Sequence, residues 1–184
     1  MIKNFQNNDF NNVNAYLVID DNKNAILFDV ADKAQKISDY LKNDNLKLLA
    51  IFITHSHFDH VLGLKVFQNE HNVPIFIGEN DYKNLFDCQK NLSFKRNLDW
   101  QLTSNKNIFK ISEEEIKTLE KFNIRCLQFG GHTPGTTFYI LNDKQIFVGD
   151  TFFKNSIGFH NVAIGTNIKR FYESLVWIWK NACK

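Results

Sequence analysis

The chain has 184 residues, 43% of them hydrophobic and 18 of them Phe, with 22 Lys and Arg against 20 Asp and Glu for a formal net charge of +2. That length fits one domain, expected over residues 1–184, with enough apolar material to form a core without disulfides. The near-balanced, scattered charges give no footprint for nucleic acid or for a membrane surface. Cys88, Cys126 and Cys183 are widely spaced and form no CxxC pair, so neither a disulfide framework nor a cysteine metal site is expected. The first eight residues lack the apolar core of a signal peptide, and no apolar run approaches the ~20 residues of a membrane helix. A cytoplasmic location is the expectation.

In chain order, Val13 to Asp20 and Ala25 to Val30 read as a hairpin turning at Asp20-Asp21-Asn22. Lys33 to Asn43 places Ala34, Ile37 and Leu41 at helical spacing. Leu48 to Ile53 is a continuous apolar run, as in a strand buried on both faces, and it ends abruptly in Thr54-His55-Ser56-His57-Phe58-Asp59-His60. Open α/β sheets place their sites at such carboxyl ends. Val61 to Asn69 reads as helix, Val73 to Ile77 as a short strand, Glu79 to Phe86 as helix, and Asn91 to Phe109 as loop with short strands. Glu113 to Lys121 is expected to be a short helix or an exposed turn. The second half then repeats the first: a strand from Phe122 to Phe129 ends at Gly130-Gly131-His132-Thr133-Pro134-Gly135. A hairpin of Thr136 to Leu141 and Gln145 to Val148 ends at Gly149-Asp150-Thr151, and an amphipathic helix covers Ile168 to Lys180. By that repeat, a further strand and polar loop are expected after the helix, where the sequence closes.

Three pieces carry chemistry. His55, His57, Asp59 and His60 place four potential ligands within six positions, and only a loop can turn them toward one point. Neutral imidazole with carboxylate suits zinc or iron. His132 lies among glycines, which let the backbone turn tightly enough to bring one imidazole into a crowded site. Asp150, at a strand end, offers two oxygens that can bridge two ions.

HxHxDH after a buried strand, then GHTPG, then GDT, resembles the metallo-β-lactamase superfamily. The resemblance runs from about Val13 to Gly158. Asn91-Leu92-Ser93 and the stretch from Gly149-Asp150-Thr151-Phe152-Phe153 to Ser156-Ile157-Gly158 look like its compact glyoxalase II-like branch. The resemblance implies an α/β layered fold, an αββα sandwich of two pseudo-symmetric halves, here C-terminally incomplete. It implies His55, His57 and His132 on a first metal, Asp59 and His60 on a second, and Asp150 bridging both. Two zinc ions are the expected cofactor, with iron as the alternative, and the second site is expected to lack a last His ligand, through truncation, frameshift or a one-metal design. Three departures stand out. They are that absent ligand, Gly158-Phe159-His160-Asn161 where the family carries a basic residue, and Asp29-Val30-Ala31-Asp32 in place of a glycine-bearing turn. His160 is the alternative ligand within the sequence.

The activity implied is hydrolysis of a small-molecule thioester, such as a hydroxyacyl-glutathione, or of a related ester, by metal-bound hydroxide that Asp59 orients. Two other readings compete: a mononuclear iron enzyme of the persulfide dioxygenase kind, and a degenerate metal-binding member without catalysis. β-Lactamase activity is disfavoured, because the common zinc β-lactamases carry Cys where this chain has Asp150. No nucleic-acid or membrane partner is expected.

Overall fold

The computed structural model describes residues 1–6, 12–32, 34–161 and 165–182. Strands β1 (Ile2–Gln6), β2 (Asn14–Ile19) and β3 (Asn24–Phe28) form an antiparallel meander, with Tyr16 opposite Phe28 in the β2–β3 pair. The connecting turn closes on Asp20, whose Oδ1 accepts the amides of Asn22 and Asn24 at 2.8 and 2.9 Å. Helix α1 (Ala34–Asn43) then carries the chain over the sheet to β4 (Lys47–Ile53), which runs parallel to β3. β5 (Ile75–Gly78) and β6 (Ile108–Ile111) continue the sheet in parallel, giving the order β1-β2-β3-β4-β5-β6. β4 is flanked on both sides, which is why its last four residues are apolar and buried.

The second sheet is antiparallel: β7 (Glu114–Leu119), β8 (Phe122–Gln128), β9 (Thr137–Leu141) and β10 (Gln145–Phe147), in the order β10-β9-β8-β7. A small hairpin of β11 (Phe152–Phe153) and β12 (Ser156–Ile157) follows, then helix α5 (Ile168–Ala182). Phe28, Phe52, Phe76, Tyr139 and Phe147 interleave between the two sheets. Ile37, Leu41 and Phe67 cover the outer face of the first sheet, and Ile178 with Trp177 covers that of the second. The result is the αββα sandwich the sequence implied.

Three local readings change. The segment from Glu113 to Lys121 is strand, not helix or turn: Glu115, Lys117 and Leu119 face partly inward, and Ile116 points out at 65% exposure. Charges inside and an apolar residue outside invert the usual alternation. Pairing with β8 supplies the stability, with Arg125 Nε to Glu114 Oε1 at 2.6 Å across the strands, and Lys117 pairs with Glu115 along β7 itself. The stretch from Val61 to Asn69 lies in two helices, α2 (Phe58–Val61) and α3 (Leu64–Glu70), parted at Gly63. A Cβ there would lie 2.6 Å from Val30 Cγ1, so the backbone packs directly on the β3 exit. The stretch from Glu79 to Phe86 begins as helix α4 (Glu79–Tyr82) and tightens to a 3-10 turn over Lys83–Phe86. Cys88 and Cys126 are free thiols, whereas Lys33 and Cys183 lie outside the described residues. No described helix is long and apolar enough to cross a membrane.

Candidate metal centre

The exits of β3 and β4 build one half of the site. Asp29, just past β3 at φ 57°, accepts the Thr54 amide on Oδ1 and the Thr54 hydroxyl on Oδ2, both at 2.8 Å. The Thr54 proton is thereby committed, so its oxygen receives the Nδ1–H of His55 at 3.1 Å. His55 Nε2 is then a lone pair, and it is fully buried with no hydrogen-bond partner. An orphaned buried nitrogen is costly unless something binds it. Asp29 Oδ2 also accepts from His60 Nδ1 at 2.8 Å, which turns His60 Nε2 toward Asp150 Oδ1 at 3.1 Å.

The second half of the molecule supplies His132 and Asp150. His132 Nδ1 donates to the Phe159 carbonyl at 2.7 Å, leaving Nε2 as a lone pair that faces His57 Nδ1 at 3.0 Å. Gly131 takes φ +115° there, and a Cβ would press on the Phe171 backbone at 3.0 Å. Asp150 sits in a 3-10 turn over Gly149–Thr151, seated against Gly158, where a Cβ would meet the Asp150 carbonyl oxygen at 1.7 Å. Asp150 Oδ2 lies 4.0 Å from His132 Nε2.

These side chains form two overlapping donor groups, His55–His57–His132 and His55–His60–Asp150, each with its ligand atoms within 4.8 Å of one another. Five of the six sequence-predicted residues therefore converge, and His55 belongs to both groups. Asp59 is buried in the adjoining cavity wall and belongs to neither. His160 stacks on Phe171 and has its Nδ1 3.0 Å from the Gly158 carbonyl, apart from both groups.

Burial, then the charge of neighbouring imidazoles, holds His55 well below the usual histidine range. Burial and His132 do the same for His57, and burial lowers His132 against the pull of Asp150. His60 is the exception: burial opposes its charge, but Asp150 and Asp29 on either side raise it well above. Asp150 drops to about 2 because the nearby imidazoles, His60 foremost, outweigh its desolvation. Without metal the site thus holds three neutral imidazoles beside one imidazolium–carboxylate pair. Neutral nitrogens, a bare carboxylate and an orphaned central lone pair fit a divalent cation.

Two essential supports escaped the sequence reading. Asp29 was visible only as a departure from a glycine turn. Asp81, in α4, is fully buried: Oδ2 accepts the Ser56 amide at 2.8 Å and the Thr133 hydroxyl at 2.7 Å, and Oδ1 accepts the Gly135 amide at 2.8 Å. It ties the loop bearing His55 and His57 to the loop bearing His132. Burial raises its pKa, against which these donors pull it down. Nothing in its sequence context marks an Asp in a polar helix as such a brace.

The groups open into a cavity of about 1160 Å³, larger than most small-molecule pockets. Phe28, Phe58, Phe147, Phe152, Phe153 and Phe159 supply apolar wall, and Lys95, Arg96 and Lys154 supply positive charge.

The model of the metallo-beta-lactamase superfamily matches residues 8–182. The chain is 30% identical over 147 residues to the probable metallo-hydrolase YqgX of Bacillus subtilis, covering 79% of this chain and 68% of that one. It is likewise 30% identical over 149 residues to the hydroxyacylglutathione hydrolase GloC of Haemophilus influenzae, covering 79% and 69%. Among solved structures, the BLEG-1 B3 metallo-beta-lactamase superposes with a TM-score of 0.87 at 25% identity, over 96% of this chain and 84% of that one. Donor loops, layered fold and sequence matches agree, and the chain belongs to the metallo-β-lactamase superfamily.

Proposed function

We propose that the chain is a metal-dependent hydrolase of small thioesters, in which His55, His57 and His132 would hold one ion and His60 and Asp150 would hold a second, with Asp59 close by in the cavity wall. The observation that carries this reading is the buried, unpartnered Nε2 of His55, shared by both donor groups. Zinc suits the His and carboxylate set. Such an ion supplies Lewis acidity, the chemistry that makes water nucleophilic near neutral pH and polarises a carbonyl. Water adds across the C–S bond: its oxygen joins the acyl carbon, one proton goes to sulfur, and a carboxylic acid and a thiol result.

The protein's part is orientation. Asp29 fixes the His60 ring, Thr54 fixes the tautomer of His55, and the Phe159 carbonyl fixes that of His132. Asp59 offers a carboxylate in the cavity wall to orient the attacking water. The thioester reading draws on the likeness to a hydroxyacylglutathione hydrolase. A one-ion iron enzyme acting on persulfides is the second reading, favoured by the completeness of the three-histidine group on its own.

The test is hydrolysis of a panel of acyl-glutathione thioesters by metal-loaded protein, with a persulfide oxygen-uptake assay and a cephalosporin assay alongside. The expected result is chelator-sensitive thioester hydrolysis, lost by at least about 100-fold in His132→Ala. Oxygen uptake with persulfide, cephalosporin cleavage, or no turnover, in the absence of thioester hydrolysis, overturns it.

A further inference from the structure

Helices α1 and α5 hold equivalent places in the two halves of the molecule, each coming after a hairpin and covering the outer face of its sheet. Their solvent faces differ. The exposed positions of α1 are Gln35, Lys36, Asp39, Lys42 and Asn43, all polar, as expected of a helix that buries one stripe and solvates the rest. α5 buries Phe171, Ser174 and Ile178, yet it also presents Ile168, Tyr172, Val176 and Trp179 to solvent, with Tyr172 50% and Trp179 73% exposed. Their spacing of four, four and three residues aligns them along one side of the helix. Covering the sheet does not require that second stripe, since α1 does the same work without one.

The stripe continues to the mouth of the metal cavity. The His160 ring stacks on Phe171 with centroids 5.2 Å apart and meets Tyr172 edge-on at 6.1 Å, which brings the loop of Phe159 beside α5. Phe152 and Ile157 pair across the β11–β12 hairpin and are exposed, as are Phe153 and Phe159. Cations border this apolar belt: Lys154 stands at the hairpin turn, and Lys169 and Lys180 each follow an end of the α5 stripe by one residue. Residues 152–182 hold Lys154, Lys169, Arg170 and Lys180 against Glu173 alone, a formal +3, while the remainder of a chain of net +2 carries −1. The near-neutral total conceals a local excess. Little of it is paired off: Lys169 approaches Glu173 only to 4.0 Å, on the surface.

We infer that this face docks on an anionic phospholipid surface, with the α5 stripe and Phe159 entering the headgroup region and Lys154, Lys169 and Lys180 meeting lipid phosphates. Apolar area and basic flanks act together in helices that lie in that interface. Trp and Tyr suit the boundary, because each ring joins an apolar body to a polar tip. At 15 residues α5 lies on the surface and does not cross it. A second copy of the chain fits less well. An antiparallel isologous pair over the stripe sets Lys169 of each copy beside Lys180 of the other, and one Glu173 per copy does not offset them. Docking of this face does not depend on which bond the metal centre breaks. Its consequence is that the cavity mouth, at Phe152, Phe153 and Phe159, opens at the lipid surface.

The test is flotation of the full chain with unilamellar vesicles of phosphatidylcholine, alone or with about 30% phosphatidylglycerol, at about 50 and about 500 mM salt. The expected result is binding at least about tenfold tighter to the anionic vesicles than to the neutral ones, weakening as salt rises. A blue shift of tryptophan emission on binding is expected, largely lost in Trp179→Ser. Trp179→Ser is also expected to weaken binding about tenfold, and so is Lys169→Glu/Lys180→Glu. Circular dichroism and zinc uptake check that both variants are folded. No binding to anionic vesicles, or binding that neither variant weakens, overturns the inference. So does a dimer in sedimentation that Trp179→Ser dissolves while vesicles bind nothing, since the stripe then belongs to a second copy.

Discussion

His60 Nδ1 donates to Asp29 Oδ2 at 2.8 Å, so a carboxylate at the exit of β3 sets the direction in which an imidazole on α2 presents its other nitrogen. The same Asp29 holds the Thr54 amide and hydroxyl, and through Thr54 the ring of His55. One side chain outside the ligand set thus orients two members of it.

Replacing Asp29 tests that role. Asp29→Ala leaves a buried imidazolium and two buried donors without their acceptor, and is expected to cost about 3–5 kcal/mol in the metal-free protein. In Asp29→Asn, which keeps the volume, zinc affinity is expected to fall about 10–100-fold. Urea denaturation and zinc titration measure the two effects, and wild-type affinity in Asp29→Asn contradicts the assignment.

The Asp81 brace joins the two halves of the site, so its loss acts at a distance from any ligand. Asp81→Ala strands the Ser56 and Gly135 amides and the Thr133 hydroxyl, at about 1–3 kcal/mol for each buried group left unsatisfied. A fall in the urea midpoint together with weaker metal binding is the expected pair of outcomes. An unchanged midpoint contradicts the brace.

Gly158 offers a more selective perturbation. An added Cβ would meet the Asp150 carbonyl oxygen at 1.7 Å, so Gly158→Ala must displace the Asp150 turn. The His55–His57–His132 group takes no donor from that turn and feels the change only through the neighbouring Phe159 carbonyl, which holds His132 Nδ1. A larger loss of affinity for the second ion than for the first is expected by calorimetric titration; equal loss of both contradicts two distinguishable groups.

The metal-free protein should be sensitive to mild acid. His55, His57 and His132 have lowered pKa values when folded, so below about 6.5 the unfolded chain takes up protons that the folded chain refuses. Stability is then lost as pH falls through that value, by up to about 1.4 kcal/mol per pH unit for each such proton. His60, whose folded pKa is raised, has the opposite sign: its contribution is complete below about 6.5 and fades as pH rises through its folded value. The net effect between pH 6.5 and about 5.5 is destabilising, and urea midpoints at these pH values measure it. Equal midpoints contradict the neutral-imidazole description.

Most of the site was legible because its ligands are concentrated. Three histidines and an aspartate within six positions, at the end of a wholly apolar strand, form a pattern that few other structures need. His132 and Asp150 were legible only through their order after that cluster, and the fold then followed from the family resemblance. Asp29 and Asp81 were not legible, since each is a single aspartate whose meaning lies in donors 25 or more positions away. β7 was misread because the partners that stabilise it, such as Arg125 opposite Ile116, lie on another strand. Its own alternation places Glu115 and Lys117 inward.

The most direct test of the metal centre is zinc titration of the chelator-stripped full chain by calorimetry, beside His132→Ala and Asp150→Ala. A tight first ion that His132→Ala abolishes, and a weaker second ion that Asp150→Ala removes, are the expected results. A wild-type chain that takes up no metal, or a His132→Ala variant that binds the first ion as tightly as wild type, contradicts the assignment.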